Sequence, residues 1–526
     1  MSSLLHTYSY KIKTIEELAD ILGGFPRKKP VIMCHGVFDV IHPGHLRHLI
    51  YAKEKAPILV VSLTADCHIT KGQHRPHIPE NLRAANMAAY ELVDYVVVDR
   101  NAKPLKNIET LKPDYFCKGF EYSPEGKVNP RTQEEIDALN SYGGRVIFTP
   151  GDYVYSSSKF INLEAPDLKY EKLELLLNSS KTTFEDLRET LTNFSGKKVH
   201  VVGDTIVDSY THCEMVGGQT KTPTMSVLFR EKKDYVGGAA VVAKHLRAAG
   251  ADVVFSTVLG DDKLKDFVLK DLTKSGIECH PNVDPLRPTV NKNAIVVKDY
   301  RLLKIDTLDN ASIPQDVLEN LCQDVHDTKT DAVIFSDFRH GIFNKNTIPF
   351  FINALPKGVL KVADSQVASR WGNITEFKGF DLITPNEREA RFSLADQDSG
   401  VRALAARLHE TADCKYLVLK LGDKGLLCSK SRNFEEADSF FLVDSFVDRL
   451  VDPVGSGDAL LAYGTLALLT RGSIAQAAIL GSIAAACECE YDGNIPITPE
   501  DVLKKLDWIE KNLTFAHAEE MAEAVQ

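Results

Sequence analysis

The chain has 526 residues, 44% of them hydrophobic and 26% charged, a soluble globular composition in a chain too long for one hydrophobic core. Its 62 basic and 73 acidic residues leave a formal charge of −11, which gives no support to a nucleic-acid binder. Ten cysteines are scattered without a CxxC pair, and Cys487 and Cys489, in an Ala-rich apolar stretch, read as buried thiols of a reducing compartment.

In chain order, "MSSLLHTYSYKIK" lacks a long apolar region, so no secretory leader is expected and the location is read as cytoplasmic. Residues 1–28 form a helical segment. From Pro30 to Pro150, β-rich runs ("VIMC", "ILVVSL", "DYVVVD", "DYFCK", "RVIFTP") alternate with helical patterns at Gly44–Lys55, Glu80–Glu91 and Thr132–Tyr142. That alternation predicts a parallel α/β domain over residues 29–163. Residues 164–195 are charged and helical without strand signals and read as a linker. A second alternating α/β region opens at "KKVHVVGD" and occupies residues 196–515, with a tail at 516–526. Its most apolar stretch, Ala459–Cys487, is broken by Arg471, Gly472 and Gln476, and so reads as two buried helices rather than a membrane span.

The first motif is "HGVFDVIHPGH", His35 to His45. Gly36 allows a tight turn after the strand, and Pro43 suits the first position of a helix. His42 and His45, three apart, point the same way in a first helical turn. A helix N-terminus with two imidazoles suits a phosphate chain. A capped helix with incidental histidines is the structural alternative, and Asp39 reads equally as a turn cap or as a ligand-orienting group. His42-Pro43-Gly44-His45 resembles the HxGH signature of cytidylyltransferase-type nucleotidyltransferases, which implies a Rossmann-like fold. Further matches follow in order: Lys53 in "YAK", Arg75-Pro76 and Arg83, Lys118-Gly119 in "DYFCKG", and Ser156, Ser157 and Ser158 in "YSSSKF". Over about residues 10–163 the set is most similar to heptose 1-phosphate adenylyltransferase domains. The resemblance implies catalytic roles for His42, His45 and Lys118. It implies nucleotide contacts from Gly36, Phe38, Asp39, Gly44, Lys53, Arg83, Gly119 and Ser156–Ser158. The attacking group would be an anionic phosphate that needs no strong base, so positioning and charge neutralisation would carry the reaction.

The second motif is "LVDPVGSGDALLAYG", Leu450 to Gly464. Gly455 and Gly457 before an apolar helix expose backbone N–H groups to an anion. Asp458 reads either as a base or as a plain N-cap. The segment resembles the GAGD motif of ribokinase-like (PfkB-type) sugar kinases, with Ser456 at the usual Ala position. "VVGDTIVDSY", with Asp204 and Asp208, resembles their opening strand, and Gly237-Gly238 their Gly-Gly element. "TPNEREA" resembles their NxxE motif at Asn386 and Glu389, and "KLGDKG", with Gly422 and Gly425, a turn beside the nucleotide. The resemblance, over about residues 196–500, implies Asp458 as base. It also implies nucleotide contacts from Asn386, Gly422, Gly425, Gly455, Ser456 and Gly457, sugar contacts from Asp204, Asp208, Gly237 and Gly238, and Mg²⁺ tied through Glu389. It is most similar to the heptose 7-phosphate kinase branch. There Lys292, Lys304, Arg339 and Arg287 read either as partners of a sugar phosphate or as surface cations.

Together the halves resemble the bifunctional heptose 7-phosphate kinase / heptose 1-phosphate adenylyltransferase family, with the domain order reversed. The expectation is an α/β protein that uses ATP or another nucleoside triphosphate with Mg²⁺ to make an NDP-heptose, ADP-heptose in the first instance. Its partners would be small molecules, without nucleic acid or membrane, and a homo-oligomer is allowed. Another sugar or polyol, CTP or GTP as donor, and a non-catalytic regulatory role for one domain are the alternatives.

Overall fold

The computed structural model describes residues 7–41, 43–69, 75–119, 130–149, 169–218, 224–366, 373–431, 439–491 and 493–523. The chain divides into two compact units, built mainly from residues 1–167 and 168–526.

The first unit holds five parallel strands: β1 (Val31–Gly36), β2 (Ile58–Thr64), β3 (Tyr95–Asp99), β4 (Tyr115–Lys118) and β5 (Arg145–Phe148). Their order is β3-β2-β1-β4-β5, so the direction of winding reverses between β1 and β4. Ligands of such sheets bind outside the carboxyl ends at that switch point. Alternation along β1 sends Ile32 and Cys34 to one apolar cluster and Val31 and Met33 to another, so helices cover both faces. Helix Pro43–Lys55 contributes Leu49 and Ala52 to the first cluster. Helix Ile15–Leu22, begun by a Thr14–Glu17 capping box, contributes Ile15 and Leu18 to the second. The helix within segment 1–28, read as separate, therefore packs in this domain's core. A helix at Leu105–Leu111 also lies between β3 and β4, a run too short to stand out by periodicity.

The second unit has a nine-stranded sheet of β6 (Lys198–Gly203), β9 (Asp252–Leu259), β10 (Glu278–Val283), β13 (Ala332–Asp337), β14 (Leu360–Ser365), β15 (Leu382–Ile383), β16 (Tyr416–Lys420), β17 (Leu426–Ser429) and β18 (Phe440–Val443). Its order is β10-β9-β6-β13-β14-β15-β16-β17-β18. All pairs are parallel except the hairpins at β17 and β18. A second sheet of order β12-β11-β7-β8 is formed by β7 (Thr205–Gly218), β8 (Met225–Gly238), β11 (Asn291–Val297) and β12 (Tyr300–Thr307). The apolar stretch near the end becomes helices Ser456–Arg471 and Ile474–Cys489, which are buried along most of their length. Helices apolar on every side belong in a core.

The region read as a linker folds otherwise. Helices Lys169–Ser180 and Phe184–Thr192 bury Leu173, Leu176, Leu177, Leu187 and Leu191 in the core of the second unit. Their surface charge hid leucines spaced three and four apart. The last helix runs unbroken over Pro499–Glu523, past the boundary drawn at 515.

Candidate active sites

In the first unit, Gly36 ends β1 and Lys118 ends β4, so the topology brings both to the switch point. A β-carbon on Gly36 would press on the Phe38 ring at 3.0 Å. Phe38 itself adopts a left-handed φ of 49°, a conformation costly for a bulky residue and concentrated at functional turns. Its ring packs at 5.1 Å against that of His45, in the first turn of helix Pro43–Lys55. Asp39 accepts the Ile78 N–H at 2.9 Å through Oδ1, while its buried Oδ2 has no hydrogen bond among the described residues. Both open readings of Asp39 keep an atom. Lys118 donates to Glu135 and lies over the Phe116 ring. Gly44 lies in the first turn of helix Pro43–Lys55, and Gly119 directly follows β4. His42, Ser156, Ser157 and Ser158 fall outside the described residues.

Two expected nucleotide ligands stand elsewhere. Lys53, at the far end of its helix, donates to Asp94 at 2.5 Å and to the Pro57 carbonyl at 2.8 Å. Those groups border the amino end of β2, the opposite edge of the sheet from the switch point. Arg83 is fully buried and donates to Val37, Thr64 and Ile78 carbonyls and to Asp66. It staples the loops beneath the site, and its guanidinium is already committed. A residue the motif reading passed over is His35. Its ring nitrogens meet Ser62 Oγ at 2.9 Å and Thr64 Oγ1 at 3.2 Å. Burial, then Lys118, pushes it down to about 4, so the ring is neutral.

In the second unit, helix Ser456–Arg471 starts from Gly455 with φ 91°. A β-carbon on Gly455 would meet Asn494 Oδ1 at 2.5 Å and Glu488 Oε1 at 2.9 Å. The capping position is held by this glycine, so Asp458, three residues on, is no N-cap. Ser456 Oγ donates to the Pro453 carbonyl at 2.8 Å. Lys420, at the carboxyl end of β16, donates to Asp364 at 2.8 Å. Burial works against its charge, but Asp364 and Glu389 outweigh it and raise the ammonium. Burial and Asp364 push Asp458 up to about 7, partly opposed by Lys420. Asn386 and Glu389 form a reciprocal capping box, at 2.8 and 2.7 Å, on helix Glu387–Leu394. Gly422 and Gly425 turn the chain after β16, both with positive φ, and a β-carbon on Gly425 would strike the Val443 carbonyl at 2.1 Å. Asp364 carries no motif in the sequence, and Lys420 opens the "KLGDKG" segment without a role of its own there; they gather here because β14 and β16, on either side of β15, end at the same edge.

At the smaller sheet, Asp208 and Lys292 are register partners, as are Lys292 and Asp306. A β-carbon on Gly237 would lie 2.3 Å from Asp208 Oδ2, and Gly238 takes φ 65°. Burial raises Asp208, and Lys292 and Lys304 temper the effect; burial and Lys304 lower Lys292. Arg301 joins them unexpectedly. Strict alternation from Lys304 would turn it to the far face, with Leu303 and Ile305. A register shift at Ile295/Val296 makes Leu302 the extra residue and pairs Arg301 with Val296, on the Lys292 face. The Arg301 guanidinium lies 5.7 Å from the Tyr210 ring centroid.

Three other expected ligands are committed to the scaffold. Asp204 Oδ2 accepts the Phe338 and His340 N–H groups at 3.0 and 3.1 Å. Arg287 is buried and binds Asp284 at 3.0 Å and the His340, Ala311 and Ser312 carbonyls. Arg339 is buried against Asp337 at 3.2 Å and the Phe343 carbonyl at 3.3 Å.

Comparison with known proteins follows the same division. Residues 33–162 match the cytidylyltransferase-like family, and residues 197–501 match the pfkB family of carbohydrate kinases. The transferase match precedes the kinase match. The chain is 41% identical over 139 residues to the "Bifunctional protein HldE" of Geobacter metallireducens, covering 26% of this chain and 27% of the relative. It is 24% identical over 326 residues to the protein of the same name from Helicobacter hepaticus, covering 60% of this chain and 65% of the relative. The chain thus spans between 27% and 65% of the curated relatives it matches. Phosphofructokinase-2 from Escherichia coli, solved with potassium, is alike in fold at a TM-score of 0.51 and 16% identity, over 60% of this chain and 99% of that one. Among the described residues no helix is long and apolar enough to cross a membrane. With more than half of its length matched, the chain belongs to the pfkB family of carbohydrate kinases and carries a cytidylyltransferase-like region ahead of the kinase.

Proposed function

We propose that the chain catalyses two reactions of sugar activation. The second unit phosphorylates a heptose 7-phosphate at C1 with ATP. The first unit transfers a nucleotidyl group from a nucleoside triphosphate, ATP in this reading, to the sugar 1-phosphate. The relatives' name, a bifunctional protein, and the two family matches support the pairing of activities.

The observation that carries the kinase reading is the gathering of Asp364, Glu389 and Asp458 about Lys420, behind the Gly455–Gly457 turn. Asp458 takes the proton of the attacking sugar hydroxyl as its oxygen bonds to the γ-phosphorus, and ADP leaves. The N–H groups of Ser456 and Gly457, at a helix start, receive the charge of the transferred phosphoryl. Three carboxylates share one ammonium, a donor set that fits a hard divalent cation. Asp364 and Glu389 are the residues that would hold Mg²⁺, which supplies charge neutralisation on the nucleotide. The sugar lies against Asp208, and its distal phosphate against Lys292, Lys304 and Arg301.

In the first unit, His45 and Lys118 donate to the triphosphate. An oxygen of the sugar 1-phosphate bonds to the α-phosphorus, and pyrophosphate leaves. The distal phosphate must be removed between the steps by a separate phosphatase. A cytoplasmic location belongs to this reading, since both steps consume nucleoside triphosphate.

The test is to incubate the full chain with a panel of sugar phosphates and each of the four nucleoside triphosphates, with and without phosphatase, and to identify products by mass. A heptose 1,7-bisphosphate without phosphatase and an ADP-heptose with it are expected. Phosphorylation of a different sugar, or transfer from CTP or GTP alone, would replace the substrates. Absence of either product class across the panel would remove that activity.

A further inference from the structure

Three ligating side chains outside the proposed chemistry meet in the core of the first unit. Cys34 on β1 and Cys117 on β4 are register partners on neighbouring parallel strands, so their side chains leave the same face of the sheet. Helix Pro43–Lys55 covers that face, where Leu49 and Ala52 share an apolar cluster with both cysteines. The same helix carries His48. The two sulfurs and an imidazole nitrogen all lie within 4.8 Å of one another. Cys34 is fully buried, Cys117 is 1% exposed, and His48 is half-buried.

Neutral imidazole is the form that ligates a metal, and thiols give up their protons to one.

We propose that Cys34, Cys117 and His48 bind a thiophilic d¹⁰ cation of the zinc class, with the fourth position left to an external ligand. Bond lengths of about 2.3 Å to sulfur and about 2.0 Å to nitrogen put tetrahedral donors roughly 3.5–3.8 Å apart. The observed donors, within 4.8 Å of one another, would have to draw together by about 1 Å to reach that size. Binding forms two Zn–S bonds and one Zn–N bond, and the two thiol protons pass to water. The ion would join β1, β4 and helix Pro43–Lys55, the elements that carry Gly36, Lys118 and His45. Its role is to fix their spacing; it touches no reacting atom.

The test uses the full chain, purified with a phosphine reductant and stripped with a chelator. Zn²⁺ is titrated and bound metal per chain is measured after gel filtration; Co²⁺ serves as the optical probe. The expected result is one tightly held ion, a thiolate-to-cobalt charge-transfer band and release of two protons. Cys34→Ser and Cys117→Ser should abolish the band, and His48→Gln should weaken binding at least tenfold, with unchanged circular dichroism. Should either serine variant misfold, His48→Gln, at a half-buried helix position, decides alone. No charge-transfer band in the parent, or binding unaltered by His48→Gln, overturns the proposal.

Discussion

Lys420 lies directly under Gly457: a β-carbon at that glycine would come within 3.3 Å of the lysine Nζ. The ammonium thus reaches the turn where the transferred phosphoryl is proposed to lie, and it opposes the rise that burial and Asp364 impose on Asp458. Lys420→Met should therefore lower kinase turnover by about a hundredfold and move the acidic limb of kcat/KM to higher pH. A pH–rate profile with an unmoved midpoint would detach Lys420 from Asp458.

Asp458→Asn separates chemistry from folding. General-base loss lowers kinase turnover by about a hundred- to ten-thousandfold, and nucleotidyl transfer should stay normal. A carboxyl raised to about 7 is favoured in its protonated form by the fold. The stability it contributes is present below its unfolded value of about 4 and is lost as pH rises towards 7. The Asn variant should thus melt higher than the parent at pH 8, with the difference shrinking by pH 5. Calorimetry at both pH values, beside the kinase assay, checks both signs.

For the first reaction, His45→Ala removes a donor to the triphosphate. Nucleotidyl transfer should fall by about a hundred- to a thousandfold with the kinase unchanged. A fall under about threefold would return His45 to a helix-start residue packed on Phe38.

The leucines of helices Lys169–Ser180 and Phe184–Thr192 predict how the chain can be cut. Each buried leucine contributes about 1.5–3 kcal/mol, more in sum than a typical domain's margin of about 5–15 kcal/mol allows to be lost safely. A fragment of residues 168–526 should be soluble and active as a kinase. One of residues 193–526 should aggregate or melt far lower, as expression and thermal scans would show.

Arg301→Ala should raise KM for a phosphorylated sugar about tenfold and leave an unphosphorylated analogue unaffected. Equal losses on both substrates would make Arg301 a structural partner of Tyr210.

The alternation of strands and helices announced both α/β regions, and Gly-rich turns announced the Gly36 and Gly455 loops, because those signals are local. What escaped was set by tertiary neighbours. Lys53 and Arg83 match a family pattern, yet their charges are spent on Asp94, Asp66 and backbone carbonyls. Arg287 and Arg339 are likewise committed to buried loops. Asp364 carries no motif, Lys420 opens "KLGDKG" without a role of its own there, and only the strand order brings the two together. The leucines at 173–191 were legible by spacing but were outweighed by the charge around them.

The extra residue at Leu302 has a consequence for how substrate preference can drift. A one-residue insertion or deletion in an edge strand swaps which side chains the strand shows to the ligand, while the main sheet and catalytic turn stay untouched. Among related enzymes, gaining or losing a single codon at this edge would add or remove a cation, in one step, from the surface proposed to meet the sugar phosphate. An alignment that spreads such a gap into the neighbouring turn would pair Arg301 with an outward-facing position and miss the change.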